Sequence, residues 1–342
     1  MILFIWSLIF ILSLLVLIKS ADWLTEAAVT LSYNLKAPPF ITGLVILSLG
    51  TSLPELAAGI AAVFQGKPEV SAAIAVGSTI VNLLLNVGIV AVLAGTLVIR
   101  KKLVDFDATL FIIDVILFFL FVSDGVINLF EGIILFLAFL VYAFYALAEN
   151  KGDGMTTEDL ITPELLDAKT ETKLMQIVPT RFEKSRAYSQ KNKDLDLKNF
   201  FYLILGVLGL TAGSVFTVEA VINLADLLRV SGTLIAFTML AIAAALPELF
   251  VAVSAASERK YDLALGNIYG SSLVNLLVVS GVCAMFAPLR LDNLTMSVGL
   301  PFLFAASLIF AVSGIPKRIH FWEGIMYLFI YFVFIVKIFG LF

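Results

Sequence analysis

Histidine and cysteine each occur once in this 342-residue chain, as His320 and Cys283. Zinc and copper sites draw on imidazole and thiolate, so neither metal finds a ligand set here. Both residues lie far in sequence from the motifs described below and are expected to be structural, the cysteine as a small buried hydrophobe. Charge is also scarce: Asp, Glu, Lys and Arg make up 14% of the residues and fall almost wholly between long apolar runs, which excludes an ordinary soluble domain. The net charge of −4 carries little information in such a chain. The Gly-x-x-x-x-Gly-Lys-Ser/Thr signature is missing, so ATP is not the expected energy source. No cofactor and no nucleic-acid partner is expected.

What the chain has is hydrophobic length. With 61% hydrophobic residues and roughly 20 apolar residues needed to cross the hydrocarbon, it reads as an all-α polytopic membrane protein. Ten transmembrane helices are expected at about 2–19, 39–64, 70–94, 107–122, 126–148, 199–220, 231–256, 262–286, 295–313 and 320–341. The first run lacks a basic n-region and leads into Lys19-Ser20-Ala21-Asp22, so it reads as a retained helix rather than a signal peptide. Lysine and arginine number 18 in the odd-numbered connections and 4 elsewhere. Positive charge favours the cytoplasm, which places both termini outside a plasma (inner) membrane and the connection 149–198 inside. That connection mixes both signs of charge with Gly152, Gly154, Pro163 and Pro179 and reads as a tether. Asp194 and Asp196 alternate as at the start of an EF-hand, but the glycine and terminal glutamate of that loop are missing.

Sliding the chain against itself by 193 residues aligns Glu26–Gly88 with Glu219–Gly281 without a gap. The identities include Leu53-Pro54-Glu55-Leu56 with Leu246-Pro247-Glu248-Leu249, Lys67 with Lys260, Gly77-Ser78 with Gly270-Ser271, and Val81-Asn82-Leu83-Leu84 with Val274-Asn275-Leu276-Leu277. Shared apolar composition matches leucines by chance; it does not align the polar residues as well. The chain therefore divides into a first five-helix repeat over 1–148, the cytoplasmic loop 149–198 and a second five-helix repeat over 199–342. Five is odd, so the repeats are inverted in the membrane. That is the plan of many secondary transporters, which bind at the midplane between repeats and alternate access by moving one group of helices against another.

Glu55 and Glu248 carry the chemistry. A carboxylate near a bilayer centre costs about 2.5–3.5 kcal/mol on insertion scales, so an intramembrane acid is a functional residue by default. Proline has no N–H for the carbonyl four residues back, and Pro54 and Pro247 therefore leave the oxygens of Gly50 and Ala243 free beside the acids. Ser48, Thr51 and Glu55 share one helical face, with Ser52 slightly off it, and Ser78 and Asn82 share a face of the next helix. The second repeat offers Glu248, Ser271 and Asn275. Two negative charges with this many oxygen donors suit the six to eight ligands that Ca2+ takes. The competing roles are helix glue for the acids and interhelical packing for the Ser and Asn residues. Glu26 and Glu219 stand near the starts of the repeats, where a gate and an interfacial structural role compete. Asp114 is expected to make a local hydrogen bond or to mark a lipid-side boundary.

At these residues the chain resembles the calcium/cation antiporter superfamily, in particular its sodium/calcium exchanger branch. Gly50-Thr51-Ser52-Leu53-Pro54-Glu55 with Gly77-Ser78-Thr79-Ile80-Val81-Asn82 resembles the family's first alpha-repeat. Ala245-Leu246-Pro247-Glu248 with Gly266-Asn267-Ile268-Tyr269-Gly270-Ser271-Ser272-Leu273-Val274-Asn275 resembles the second. The resemblance implies an ion site formed by the second, third, seventh and eighth helices, with the two glutamates coordinating Ca2+ and competing for the exchanged cation. Two departures bear on that cation. Ala244-Ala245 stand where many members carry Thr-Ser, which removes two hydroxyl ligands, and Asn275 stands where some branches place aspartate. The expected activity is antiport of Ca2+ against a monovalent cation, Na+ ahead of H+, with inorganic cations and the lipid bilayer as partners and no enzymatic activity. A channel on the same repeat is the alternative of another class, and an intramembrane glutamate hydrolase is a remote third.

Overall fold

A computed structural model describes residues 2–35, 41–98, 108–149, 197–227, 245–314 and 318–339. The first repeat contributes α1 (Ile2–Leu35), α2 (Thr42–Thr51), α3 (Leu53–Phe64), α4 (Pro68–Ala94), α5 (Ala108–Val122) and α6 (Leu129–Glu149). The second contributes α7 (Leu197–Leu227), α8 (Leu246–Ser257), α9 (Tyr261–Phe286), α10 (Thr295–Gly314) and α11 (Phe321–Ile338). Among the described residues, seven helices are long and apolar enough to cross a membrane, and an eighth span arises when α2 and α3 are taken together across their 43° bend. The helices α5 and α8 are apolar but shorter. The ten sequence-derived helices thus each have a helical counterpart, while seven or eight meet the length of a full span.

The largest difference from expectation is in α1. It runs to Leu35 rather than ending at 19, so Lys19, Asp22 and Glu26 lie within a helix and not in a connection. At 1.5 Å per residue it is about 51 Å long, more than the hydrocarbon needs. Likewise α7 continues to Leu227. The tether at 149–198 and the segment around Ala243 and Ala244 lie almost wholly outside the described residues.

The 193-residue offset seen in the sequence reappears in the backbone. Helices α4 and α9 carry π-helical segments at Val81–Asn86 and Val274–Val279, each shifted by that offset. Ser52 (φ −88°, ψ 5°) and Ala245 (φ −88°, ψ 4°) open α3 and α8 identically, each with proline in the first turn. The turns that follow both require a left-handed residue, which the first copy supplies as Gly66 (φ 73°) and the second as Arg259 (φ 59°). That conformation costs a non-glycine residue about 1–2 kcal/mol.

The two copies are intertwined rather than side by side. The strand β1 (Thr96–Val98) pairs antiparallel with β4 (Arg318–His320), and β2 (Val126–Ile127) with β3 (Leu289–Arg290). Each ribbon joins one repeat to the other, and a two-fold relation exchanges them. Close helix contacts follow the same rule. A Cβ on Gly88 would meet the carbonyl of Gly324, and one on Gly281 would meet that of Gly132. Burial then sorts the helices: 72% of the apolar window of α4 and 89% of that of α9 is buried, against 17–28% for α1, α6, α7 and α11. So α4 and α9 form the centre, and the lipid-facing helices carry the exposed leucines and phenylalanines.

Candidate functional site

Both acids occupy the first turn of a helix, one residue after a proline. Pro54 cannot complete the helix across Ser52, so α2 and α3 are bent there, and Glu55 is delivered just after the bend. Pro247 likewise precedes Glu248 in the first turn of α8. Glu55 is 1% exposed and Glu248 0%, and the two lie close enough for their charges to act on each other. Each acid-bearing helix packs on the π-helical segment of the opposite repeat, α3 on Val274–Val279 and α8 on Val81–Asn86. Those segments carry Asn275 and Asn82. An inserted residue in a helix widens one turn and re-aims its side chains, a distortion that favours functional sites.

All eight sequence-derived site residues are buried: Glu55, Glu248, Thr51, Ser52, Ser78, Asn82, Ser271 and Asn275. Four of them are joined across the repeat boundary. Ser52 Oγ donates to Glu248 Oε1 at 3.0 Å, and Thr51 Oγ1 and Ser271 Oγ share a hydrogen bond of 3.2 Å. Ser52, which the helical wheel places slightly off the shared face, is thus the residue that reaches the acid, because the helix breaks at Ser52 itself. Ser78, Asn82 and Asn275 lie on the same central helices, α4 and α9.

Many of these groups keep oxygen or nitrogen atoms with no partner among the described residues. They include both carboxylate oxygens of Glu55, Oε2 of Glu248, Oγ of Ser78, Nδ2 of Asn82 and both side-chain atoms of Asn275. A buried polar group without a partner costs about 1–3 kcal/mol, and more when charged. Native proteins keep few such groups, and a cluster of them signals a ligand or ion. The oxygens present suit a hard cation, and no nitrogen or sulfur ligand from histidine or cysteine is among them.

Two residues enlarge the constellation beyond the sequence reading. Asn267 donates from Nδ2 to the backbone oxygen of Glu248 at 3.3 Å, and its Oδ1 accepts from Thr51 Oγ1 at 3.4 Å. Its equivalent in the first repeat is Ile74, so symmetry gave no signal. Asn86 donates from Nδ2 to Asn82 Oδ1 at 2.8 Å, and its equivalent is Val279. Both could have been found as amides inside apolar helices.

The remaining singled-out residues are placed as follows. His320 caps α11, with its backbone N–H on Glu323 Oε2 at 2.7 Å, and Cys283 is fully buried. Glu26 and Glu219 are on exposed faces of α1 and α7. The lipid-side expectation for Asp114 is overturned: it is 7% exposed, with Oδ2 unpartnered, and its equivalent Ser307 is 4% exposed and also lacks a partner for its hydroxyl.

The sodium/calcium exchanger protein family model matches residues 5–148 and 198–340. The chain belongs to this family. It is 29% identical over 365 aligned positions to the sodium/calcium exchanger MaX1 of Methanosarcina acetivorans, covering 97% of this chain and 98% of that one. It is 30% identical to the putative antiporter CaxA of Alkalimonas amylolytica, over 83% of this chain and 82% of the relative. Among solved structures it superimposes on the sodium-calcium exchanger NCX_Mj with a TM-score of 0.75, over 97% of this chain and 98% of that chain, at 22% identity. That likeness establishes a shared fold for an integral membrane protein. The two matched segments leave residues 149–197 between them unmatched.

Proposed function

We propose that this protein is a secondary active antiporter that moves Ca2+ across the membrane against a monovalent cation, with Na+ ahead of H+. The observation that carries the reading is the pair Glu55 and Glu248. Two carboxylates from opposite repeats are buried in the first turns of their helices and retain oxygens without a partner among the described residues. A dehydrated Ca2+ needs several oxygens at 2.3–2.6 Å and two negative charges to offset its own. Glu55, Glu248, Thr51, Ser52, Ser78, Asn82, Ser271 and Asn275, with backbone oxygens near Gly50, are the proposed ligands. Relatives named as sodium/calcium exchangers support the choice of ions. In the proposed orientation both termini are outside and 149–198 is cytoplasmic, so export of Ca2+ is the working direction.

The counter-ion turns on the start of α8. Ala245 precedes that helix where Ser52 precedes α3, so the second repeat supplies fewer hydroxyls for Na+. Protons need no cage, because the two carboxylates can take them directly. Na+ is preferred on family membership. The test is a proteoliposome loaded with Ca2+ and given either a Na+ gradient at fixed pH or a pH gradient without Na+. Ca2+ flux under the Na+ gradient supports the reading. Flux under the pH gradient alone replaces Na+ with H+, and flux under neither condition but down a Ca2+ gradient makes the protein a channel.

A further inference from the structure

The helices α1 and α7 cross each other symmetrically. A Cβ on Gly206 would meet Leu24, and Thr217 Oγ1 donates to Ser13 Oγ at 2.8 Å. These are the same contact twice, since Ser13 and Leu24 become Gly206 and Thr217 under the 193-residue shift. The docking of this pair onto the rest of the protein is not symmetric. Both α1 and α7 pack on α8, and neither makes comparable contact with α3, its equivalent, among the described residues. The consequence is visible in burial. Ala58 and Ala61 on α3 are exposed, whereas their equivalents Val251 and Ser254 on α8 are 0% and 7% exposed. Leu53 at the start of α3 is 50% exposed, and its equivalent Leu246 is half-buried.

Each of these helices leads from the paired acids to one end of the molecule, α3 to the turn at Gly66 and α8 to the turn at Arg259. Among the described residues this face of α3 is therefore uncovered, and the equivalent face of α8 is covered by α1. One polar contact fixes that closure: Ser254 Oγ donates to Asp22 Oδ1 at 2.9 Å. A turn further along, Glu26 of α1 lies within the electrostatic reach of Glu258 and Lys260 at the end of α8. The equivalents of Asp22 and Ser254 are Val215 and Ala61, which cannot form such a bond when the other passage closes.

We infer that the Asp22–Ser254 hydrogen bond is a one-sided gate latch, which holds the α8 passage shut and biases the exchanger toward the state open along α3. The inference rests on the proposed alternating access. An inverted-repeat carrier with equal halves has no reason to prefer either state, and one latch present at a single gate supplies a preference. A hydrogen bond to a charged acceptor shifts a two-state population by roughly tenfold or more. In the proposed orientation the favoured state faces outward.

The test reads the gates directly. In full-length protein with Cys283→Ser, Ala58→Cys and Val251→Cys are introduced separately, and labelling by a polar maleimide is timed in detergent, where both ends are accessible. The parent is expected to label quickly at Ala58→Cys and slowly at Val251→Cys. Adding Ser254→Ala, which installs the residue already present at the other gate, is expected to raise labelling at Val251→Cys and lower it at Ala58→Cys, so that the ratio of the two rates changes by about tenfold. Ser254→Thr, which keeps the hydroxyl, should restore the parental rates. If the parental rates differ but Ser254→Ala leaves both unchanged, the latch is wrong and alternating access stands. If the two positions label alike in the parent, the latch falls together with the access reading.

Discussion

Ser52 of the first repeat donates its hydroxyl to Glu248 of the second at 3.0 Å, and the residue that would return this bond to Glu55 is Ala245, which has no oxygen. The two acids are therefore unequal in a fold that otherwise treats them alike. Glu248 has one carboxylate oxygen held, while both oxygens of Glu55 lack a partner among the described residues. An ion at the site would draw more of its coordination from Glu55, and Glu248 would be the oriented member of the pair.

Neutralising either acid is expected to stop transport. Two unit charges about 4 Å apart interact by about 4 kcal/mol at an effective dielectric near 20, and a divalent ion loses twice that when one carboxylate becomes an amide. Ca2+ uptake by Glu55→Gln or Glu248→Gln in liposomes should fall more than a hundredfold, to background. Both variants should still fold, since each removes a buried charge and Gln at 248 still offers Ser52 an acceptor. Size-exclusion behaviour in detergent checks the fold. Near-normal uptake by either variant would remove the two-carboxylate site.

Asn267 ties α9 to the acid helix α8 and to Thr51 of α2 through two hydrogen bonds. Removing the amide in Asn267→Ala leaves Thr51 without that acceptor and takes a donor from Glu248. A stability loss of about 1–2 kcal/mol is expected, read as a lower melting temperature of the purified protein, together with a raised KM for Ca2+. Asn267→Leu, of similar size but without a polar atom, is expected to lose as much stability. Parental stability of the leucine variant would mean that the amide packs rather than positions.

The repeat and the two acids were legible because both copies keep the residues that break a helix and those that carry charge inside it. Symmetry spoke only for what it duplicates. Asn267 and Asn86 stand opposite Ile74 and Val279, so a comparison of the halves passes over them. The length of α1 was hidden for another reason. Its polar stretch Lys19-Ser20-Ala21-Asp22 resembles a connection by composition, yet Ser20 lies against Gly209 of α7 and Asp22 bonds Ser254. Such groups stay helical because partner helices satisfy them, which hydropathy along one segment does not report. The π-helical turns likewise have no signature in single-sequence periodicity.

The orientation has its own consequence. With Lys19 drawn into α1, the excess of lysine and arginine in the odd-numbered connections persists, so a tag within 155–195 should be reachable only from the cytoplasm, and tags at Met1 and Phe342 only from outside. Labelling of intact cells with an impermeant reagent, compared with permeabilised cells, checks this. Termini on opposite sides would mean an odd number of crossings and overturn the ten-helix, inverted arrangement.

The missing hydroxyls at the second break allow the counter-ion to be tested by restoring them. Ser52 shows what a hydroxyl at that place does: it crosses to the acid of the other repeat. Ala245 is 1% exposed and starts α8 with the dihedral angles of Ser52, so Ala245→Ser should aim a hydroxyl at Glu55 in the same way, and Ala244→Thr should supply the second. If Na+ is the exchanged ion, one of its positions lacks these ligands. A neutral oxygen ligand gained at a pre-formed position contributes about 1 kcal/mol, so the two gained in the double substitution are expected to lower the Na+ concentration for half-maximal Ca2+ exchange by about thirtyfold. The proton-driven flux should not rise, because a hydroxyl that bonds a carboxylate favours its charged form and opposes protonation. Na+ dependence and pH dependence measured on the same liposomes separate the two cases: a stronger Na+ response supports sodium exchange, and a flux that follows only the pH gradient in both proteins assigns the exchange to protons.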